Sequence, residues 1–402
     1  MSAELAVTGL GVVAPHGDDA AQVFQALMRA ESAVAPHISE LPKPSIAAAV
    51  AFDESRWFTK LQLAGVDRVS QFAVAAADLA MRDAGAIGAV DPERIGIYAG
   101  CGMGGAAALE VAYRSSGRIP PLTIPAFMPN APASHVAMRH GVQGPVLTYS
   151  VACASSGVAI AEAAKAVQRG EVDIAIAGGS EALIVPGVVA AWQAMQTLAS
   201  FQPGEEAGAV RPFASDRSGF ALGEGAAFLV IESAERARRR GARSYATLAG
   251  WGISSDATHL TKPDAPGQAR AIRAALRSAG LQPRDVGYCN AHGTATRIGD
   301  VVERNALADV WGDALDDLRV SSTKALHGHM LGAAGALEAA ITVMALHHRQ
   351  LPPNAHCKTM DPECSLNLVR ETGTAAPQLE AAISNSFAFG GTNSVLLFRR
   401  AA

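Results

Sequence analysis

One cysteine stands where the sequence can make a thiol nucleophilic. Cys153 directly follows the apolar run 146–152 (VLTYSVA). The small residues ASSG come next, and a helical pattern covers 157–168. A thiol at a helix N-terminus lies at the positive end of the helix dipole, which lowers its pKa and favours the thiolate. We therefore predict a reactive Cys153 with a lowered pKa; the alternative is an inert core thiol. The other cysteines, at 101, 289, 357 and 364, lack this setting.

Two further stretches carry histidines on glycine-rich turns. In NAHGTAT, His292 follows the apolar residues 286–289 and precedes two threonine hydroxyls, and in STKALHGHMLGAAGALE, Lys324 and His329 precede another predicted helix. The alternative for either histidine is a buried ring bonded to a backbone carbonyl. Zinc needs further ligands at suitable spacing, which HGH alone does not supply, so no metal site is predicted. A cysteine with two histidines and a lysine is typical of acyl-thioester chemistry.

Two glycine patterns are similar to dinucleotide-binding fingerprints. TGLGVVA contains Gly9 and Gly11, and AGCGMGG contains Gly100, Gly102 and Gly105. The fingerprint needs a helix that starts at once and an acidic residue ~20 positions later. The first pattern meets a proline and a glycine instead, and the second reaches IPPLTIPAF, which has no carboxylate. Both patterns are predicted to be tight turns in close-packed backbone, and no nucleotide cofactor is expected.

The elements that must position these residues alternate along the chain. Short apolar runs predict buried strands and longer alanine-rich stretches predict helices. Such alternation is typical of α/β proteins with helices on both faces of a sheet. The strand patterns cover 4–13, 94–100, 146–152 and 172–179, and the helical patterns cover 69–84 and 157–168.

A weak internal repeat divides the chain. Residues 220–231 (FALGEGAAFLVI) align with 387–398 (FAFGGTNSVLLF) at an offset of 167 residues (387 − 220). This predicts two α/β halves of similar topology that join near residue 240; chance likeness of glycine turns and apolar strands is the alternative. The charged segment 232–243 (ESAERARRRGAR) at the junction is predicted to be a solvated helix and connector.

Composition excludes several classes of protein. The chain has 402 residues, of which 49% are hydrophobic and 17% charged, so it is not intrinsically disordered. Its net charge of −4 provides no overall positive field for nucleic acid or an anionic membrane. No secretory signal or membrane-spanning run is recognisable, and five cysteines without a CxxC pair argue against disulfides. We expect a cytoplasmic α/β enzyme.

Four ordered motifs identify a family. VACASSG, NAHGTAT, STKALHGHMLGAAGALE and NSFAFGGTN together resemble the elongating β-ketoacyl-acyl-carrier-protein synthases, over nearly the whole chain. The resemblance implies a thiolase-like duplicated αβαβα fold with halves at 1–239 and 240–402. It implies a decarboxylative Claisen condensation of an acyl-enzyme with a malonyl group. Both substrates are carried on the phosphopantetheine of acyl carrier protein, so no further cofactor is expected. A homodimer, or a heterodimer with a related ketosynthase-like subunit, is also implied.

The resemblance assigns a role to each matching residue. Cys153 accepts the acyl chain, while His292 and His329 hold the malonyl thioester and promote decarboxylation, because the resulting enolate needs preorganised donors. Lys324 lies beneath the histidines with Glu338 as its acidic partner, and the amides of Cys153 and Phe389 form the oxyanion hole, with Phe389 and Phe387 on the gating loop. The remaining assignments are Thr294 and Thr296 on the pantetheine arm, Met103 at the end of the acyl pocket, often across the dimer interface, and Arg68 and Arg118 as carrier-docking residues, for which ordinary surface arginines are the alternative.

Departures from the family pattern leave alternatives open. Ala388 replaces a usual glycine, Ala214 and Ser218 replace usual acidic residues, and His327 is an unusual occupant. A thiolase would need a second catalytic cysteine, which the loop after Phe389 lacks. A second histidine disfavours the Cys/His/Asn condensing enzymes, and a Cys-dependent hydrolase does not need donors arranged for an enolate. A catalytic subunit that requires a chain-length-determining partner stays open, as do the acyl chain length and the choice between fatty-acid and polyketide or polyene synthesis.

Overall fold

The computed structural model describes residues 4–38, 40–41, 43–88 and 90–401. The strands are β1 Leu5–Val13, β2 Ala35–Pro36, β3 Ile46–Ala48, β4 Ile95–Gly100, β5 Val146–Tyr149, β6 Ile174–Glu181, β7 Leu222–Gly223, β8 Gly225–Ser233, β9 Ala246–Ser255, β10 Tyr288–Asn290, β11 Arg319–Ser321, β12 Gln350–Leu351, β13 Asn367–Leu368, β14 Thr374–Ala375, β15 Ala381–Phe387 and β16 Thr392–Arg400. The helices are α1 Ala20–Met28, α2 Arg68–Asp83, α3 Ala106–Arg114, α4 Thr123–Phe127, α5 Ala131–His140, α6 Ser155–Gln168, α7 Pro186–Ala194, α8 Ala234–Arg239, α9 Ala265–Ala279, α10 Arg297–Trp311, α11 Lys324–His327 and α12 Ala334–His348. The strands and helices predicted from the sequence are all present.

The largest sheet has a duplicated strand order. In the described part of the chain, eleven strands run β13-β11-β10-β15-β16-β9-β1-β8-β6-β4-β5. Apart from the extra edge strand β13, the order is symmetric about the β9–β1 pair, with β8 antiparallel to β1 and β16 antiparallel to β9. The two segments that align at an offset of 167 residues end in these equivalent strands, β8 and β16. The repeat therefore reflects duplicated topology, and residue 240 lies in the connection between α8 and β9.

The sheet has two arms, one from β9 to β13 and the other from β1 to β5. Helices form layers on both sides of each arm. α6 and α12 contact each other and strands of both arms, whereas α2 packs on β1 and β8 and α9 packs on β9 and β16. The order of layers is therefore αβαβα, and the predicted fold class is confirmed. Because α12 lies in the central layer, it is buried on all sides from Ala334 to Leu346, as a helix that is apolar all round requires.

The fingerprint-like glycines serve backbone packing. A Cβ at Gly11 would lie 1.9 Å from the Ala76 carbonyl oxygen of α2, and one at Gly100 would lie 2.2 Å from the Ser156 nitrogen of α6. A helix therefore lies directly against each strand, and the prediction of close-packed backbone is confirmed. The prediction of a tight turn is wrong for Gly9 and Gly11, because both lie within β1, where the absent side chains let α2 approach the strand.

The charged segment at the junction is only partly solvated. Glu232 is fully buried at the end of β8, where it accepts hydrogen bonds from Thr8 and Arg240. The prediction of a solvated segment is wrong at this residue, because it belongs to the buried strand and not to the short helix α8. Among the described residues, no helix combines the length and apolarity that a membrane crossing requires.

Candidate active site

Cys153 lies in a one-turn 3-10 helix, Ala152–Ala154, between β5 and α6. Ala152 has a φ of +47°, a left-handed conformation that is uncommon for a residue with a Cβ and is often found at functional sites. The Cys153 side chain is buried, and burial raises the pKa of its thiol to about 12. The charge of Lys324 and hydrogen bonds from the backbone N–H groups of Phe389 and Cys153 act in the opposite direction. The predicted lowering of this pKa is therefore wrong, because desolvation outweighs the favourable charges.

His329 contacts the thiol directly. Its Nε2 lies 3.1 Å from Cys153 Sγ, and its Nδ1 accepts a hydrogen bond from the Leu331 N–H at 3.3 Å. Because Nδ1 is the acceptor, the proton of the neutral ring is assigned to Nε2, which then donates to the sulfur. The His329 backbone pairs with β7 through the Ala221 carbonyl and the Gly223 N–H, which fixes the histidine over the sulfur.

His292 lies beside His329. The two ring centroids are 5.5 Å apart at 80°, and the Cys153 sulfur and one nitrogen from each ring all lie within 4.8 Å of one another. The backbone N–H groups of His292 and Gly293 donate to the buried Glu303 carboxylate at 2.9 and 2.7 Å. Glu303 therefore fixes the His292 turn. It was missed from the sequence, since it is one of several carboxylates on an ordinary helical pattern.

Both imidazoles are kept neutral. Burial lowers the pKa of His292 and of His329 well below the ordinary value, and the nearby Lys324 charge lowers it further. Lys324 forms a fully buried ion pair with Glu338, whose pKa is raised by burial to about 7 against the opposing effect of Lys324. The ion pair keeps the lysine charge close to the histidines, which remain neutral hydrogen-bond donors at ordinary pH.

A cavity of about 610 Å³ joins these groups to the surface. The Thr294 and Thr296 hydroxyls are hydrogen-bonded to each other at 3.0 Å along its wall. The structure therefore brings most of the predicted site residues together. The lining includes Cys153, His292, His329, Thr294, Thr296, Phe387, Ala388 and Phe389.

An aromatic row that the sequence did not predict crosses the cavity. Trp192 of α7 stacks on Phe389 with centroids 6.1 Å apart at 25°, and it meets the edge of Phe220 at 5.5 Å. Phe220 in turn contacts the His329 ring at 5.2 Å. No motif singled out Trp192, because only the tertiary fold places α7 against the loop that carries Phe389.

Two predicted positions have other surroundings. Met103 is 44% exposed and is not among the described residues that line the cavity, because its loop turns away after β4 and its N–H is bonded to Glu181. The assignment of Met103 to the end of the acyl pocket, often across the dimer interface, stays a prediction. Arg68 forms a two-point ion pair with Glu224 and a hydrogen bond to the Val50 carbonyl, so its guanidinium has a structural role. Docking by Arg68 receives no support.

Arg118 is exposed, and its assignment to carrier docking stays a prediction. The structure gives it no ion pair within the described residues.

The departures from the family pattern are accommodated locally. Ser218 lines the cavity, and its hydroxyl accepts from the Ser200 N–H. Arg217, between Ala214 and Ser218, is buried and forms an ion pair with Asp361. His327 is bonded to the Thr323 hydroxyl at 2.9 Å, and burial lowers its pKa to about 3, so it is neutral.

Comparisons with known proteins agree with this geometry. The family model for the β-ketoacyl synthase N-terminal domain matches residues 2–237, and the model for the C-terminal domain matches residues 245–358. The chain is 36% identical to 3-oxoacyl-[acyl-carrier-protein] synthase 2 of Staphylococcus aureus (strain COL), over 98% of this chain and 97% of that protein. It is 39% identical to nodulation protein E of Rhizobium sp. (strain N33), over 100% of both chains.

Solved structures are similar over the full length. A β-ketoacyl synthase from Burkholderia phymatum STM815 has a TM-score of 0.91 at 33% identity, and the ishigamide ketosynthase/chain length factor has a TM-score of 0.92 at 31% identity. Each match covers 100% of both chains. The fold and site thus define a condensing enzyme, which is an acyltransferase. The chain belongs to the β-ketoacyl synthase family.

Proposed function

We propose that this protein transfers an acyl group from acyl carrier protein to Cys153 and condenses it with a malonyl group, in fatty-acid or polyketide chain elongation. One observation carries the proposal: a buried thiol and two neutral imidazoles converge within 4.8 Å at the end of a cavity. The backbone N–H groups of Phe389 and Cys153 act on the same thiol and lower its pKa. The matched 3-oxoacyl-carrier-protein synthase supports the substrate class.

The first step is thioester exchange. The Cys153 sulfur attacks the acyl thioester, and its proton leaves with the pantetheine thiol, so no net base is consumed. The N–H groups of Cys153 and Phe389 stabilise the oxyanion of the tetrahedral intermediate, as donors directed at developing charge do. The His329 Nε2–H donates to the sulfur and thereby stabilises the thiolate as the proton leaves.

The second step is decarboxylation and condensation. Malonyl thioester loses CO2, and the electrons of the broken bond form an enolate whose oxygen accepts from the His292 and His329 rings. The enolate carbon attacks the acyl–Cys153 carbonyl, and the Cys153 thiolate leaves and takes a proton from water. Neutral rings suit this role, because a neutral imidazole still carries one N–H that can donate to the enolate oxygen.

The chemistry needs no bound cofactor or metal beyond the carrier's phosphopantetheine. A thiolase would need a second thiol near Cys153. Among the described residues that line the cavity, Cys153 is the only cysteine, which supports the malonyl-dependent reaction over the thiolase alternative. All five cysteines are free thiols, which supports a cytoplasmic location because reducing compartments keep thiols free.

The cavity mouth suits an acidic carrier and its phosphate. Lys262 and Arg297 line the mouth and are exposed. Among the described lining residues the one carboxylate is Glu303, whose oxygens are occupied by backbone N–H groups. The mouth therefore has positive charge without exposed negative charge, and electrostatic steering brings an acidic carrier to it. Lys262 and Arg297 thus take the docking role that was predicted for Arg68.

A second subunit of the same fold suits one face of the molecule. β5 is at the edge of the sheet, and Leu147 on it is 45% exposed. The neighbouring segment 106–140 exposes further large apolar side chains, including Val111, Tyr113, Ile124 and Met138. An open edge strand beside an apolar patch is typical of an interface. The solved ishigamide ketosynthase/chain length factor favours a related subunit as the partner, either identical or chain-length-determining.

Condensation by the purified chain tests the proposal. Intact-protein mass spectrometry should detect an acyl adduct on Cys153 after incubation with acyl-carrier protein, and malonyl-carrier should then release a product two carbons longer. The Cys153→Ala variant should form no adduct. Normal condensation by this variant would refute the assignment. Adduct formation without condensation until a second subunit is added would identify the heterodimer.

Charge reversal tests docking at the mouth. Lys262→Glu or Arg297→Glu should raise KM for carrier-linked acyl groups by about tenfold while leaving KM for a free pantetheine thioester unchanged. Arg277→Glu, on an exposed part of α9 outside the cavity lining, is the matched control. An equal effect of all three substitutions would contradict docking at the mouth.

A further inference from the structure

One buried carboxylate outside the reacting groups joins three parts of the active-site region. Glu181, the last residue of β6, is fully buried. Its Oε2 accepts from the Gly102 N–H at 2.8 Å and the Gly332 N–H at 3.0 Å, and its Oε1 accepts from the Met103 N–H at 3.2 Å. The carboxylate thus connects the loop after β4 with the turn that follows His329.

The turn that Glu181 holds is strained. Leu331 has a φ of +44°, which an L-residue with a side chain rarely adopts. Such conformations persist only where the surrounding structure over-determines them. Here the Leu331 N–H is held by His329 Nδ1, and the next N–H, that of Gly332, is held by Glu181.

The packing around the carboxylate leaves no room for side chains. A Cβ at Gly102 or at Gly332 would lie 2.5 Å from Glu181 Oε2. Both glycines are therefore required by this carboxylate. Burial raises the pKa of Glu181 to about 7, against the opposing hydrogen bonds from Gly102, Met103 and Gly332, so the carboxylate is kept at a cost in solvation.

We infer that Glu181 is a positioning residue for the condensation: it fixes the Leu331–Gly332 turn, and through the Leu331 N–H it keeps the His329 Nε2–H directed at Cys153 and at the enolate oxygen. The expected loss of rate rests on the proposed function, whereas the role of Glu181 in fixing the turn rests on the hydrogen bonds alone. Among the described residues, Glu181 is not part of the cavity lining and makes no hydrogen bond to the sulfur, so it acts through His329.

Glu181→Gln is the informative substitution. The side chain keeps its size, but an amide nitrogen replaces one oxygen, so at least one of the three N–H groups faces another donor. The turn should relax, and decarboxylation of malonyl-carrier should fall ~10- to 100-fold, as expected for a reacting group that moves by about 1 Å. Glu181→Asp, which keeps the charge but shortens the reach, should be intermediate.

The double variant separates positioning from general damage. Because Glu181 acts through His329, Glu181→Gln in a His329→Ala background should lower decarboxylation by less than about twofold further, as non-additivity between coupled residues predicts. The matched control is Glu232→Gln, which alters an equally buried carboxylate in β8 bonded to Arg240. It should lower thermal stability without changing the decarboxylation rate of the folded protein.

A crystal structure of Glu181→Gln gives a test that does not depend on activity. The φ of Leu331 should leave the left-handed region, and the His329 Nε2–Cys153 Sγ distance should exceed 3.1 Å. An unchanged turn, or a full multiplicative loss in the double variant, would overturn the inference. A wild-type protein that neither forms the Cys153 adduct nor decarboxylates malonyl-carrier would refute the proposed function, and the structure of the variant would still decide the role of Glu181.

Discussion

The two histidines should fail in different ways when each is replaced by alanine. His329 Nε2 is 3.1 Å from Cys153 Sγ, whereas no hydrogen bond joins the His292 ring to the sulfur among the described residues. In the proposed mechanism, His329 therefore serves both the thiol and the enolate, and His292 serves the enolate. His292→Ala should impair the second half-reaction selectively, while His329→Ala should impair both.

The expected magnitudes follow from these contacts. Loss of one preorganised donor to a developing oxyanion costs about 10²- to 10³-fold, so decarboxylation should fall by that factor in either variant. A hydrogen bond to a charged group is worth about 1.5–3 kcal/mol, so acylation of Cys153 should fall ~10- to 100-fold in His329→Ala. In His292→Ala, acylation should change by less than about threefold, since no bond to the sulfur is lost.

Single-turnover kinetics separate the half-reactions. Intact-protein mass spectrometry follows the adduct on Cys153 with acyl-carrier protein alone, and the conversion of malonyl-carrier to acetyl-carrier follows decarboxylation. Thermal unfolding of each variant confirms that the folded fraction is unchanged. If His292→Ala slowed acylation as much as decarboxylation, the division of roles would be wrong.

Other predictions concern the thiol, metal ions, packing and the aromatic row. Because burial raises the pKa of Cys153 to about 12, alkylation by iodoacetamide should accelerate about tenfold per pH unit from pH 8 to pH 10, whereas a plateau near pH 8 would refute the raised pKa. EDTA should leave condensation unchanged. Zn²⁺ should inhibit condensation and protect Cys153 from alkylation, because the sulfur and two ring nitrogens form a compact set of metal ligands. Inhibition without protection would show that the ion binds elsewhere. Gly11→Ala should destabilise the fold by about 3 kcal/mol in urea unfolding, because its Cβ would meet the Ala76 carbonyl, whereas Gly208→Ala, which meets nothing within 4 Å, should change stability by less than about 0.5 kcal/mol. Trp192→Ala should lengthen the acyl chains accepted, as measured by competition between acyl-carriers, and Trp192→Phe should not; identical selectivity in both variants would show that the stacked ring does not limit the cavity.

The sequence predicted the chemistry well where it is local. Cys153, His292 and His329 each lie on a short motif between a strand and a helix, and a turn of that kind places a side chain at the end of its strand. The αβαβα fold could also be predicted, because alternation, apolar runs and the repeat are properties of contiguous segments. The alignment of 220–231 with 387–398 corresponds to β8 and β16 in equivalent positions.

The sequence failed where distance or burial decides. The sign of the Cys153 pKa shift was wrong, because a helix dipole can be read from local sequence but the extent of desolvation cannot. The exposure of Met103 could not be predicted, because the direction of its loop depends on a distant partner, here Glu181. The pairing of Arg68 with Glu224 joins residues 156 positions apart, which no local pattern reveals.

The sequence by itself thus determined which reactive groups this protein has and the order of elements that carries them. The tertiary structure alone decided the protonation of these groups, their orientation and the hydrogen bonds that hold them in place. The Leu331 N–H is bonded to His329, Glu181 holds the adjacent Gly332 N–H, Glu303 fixes the turn of His292, and Trp192 stacks on Phe389. The physical reason is that composition and periodicity act between neighbours in the chain, whereas desolvation and long-range hydrogen bonds exist only once distant segments are packed together.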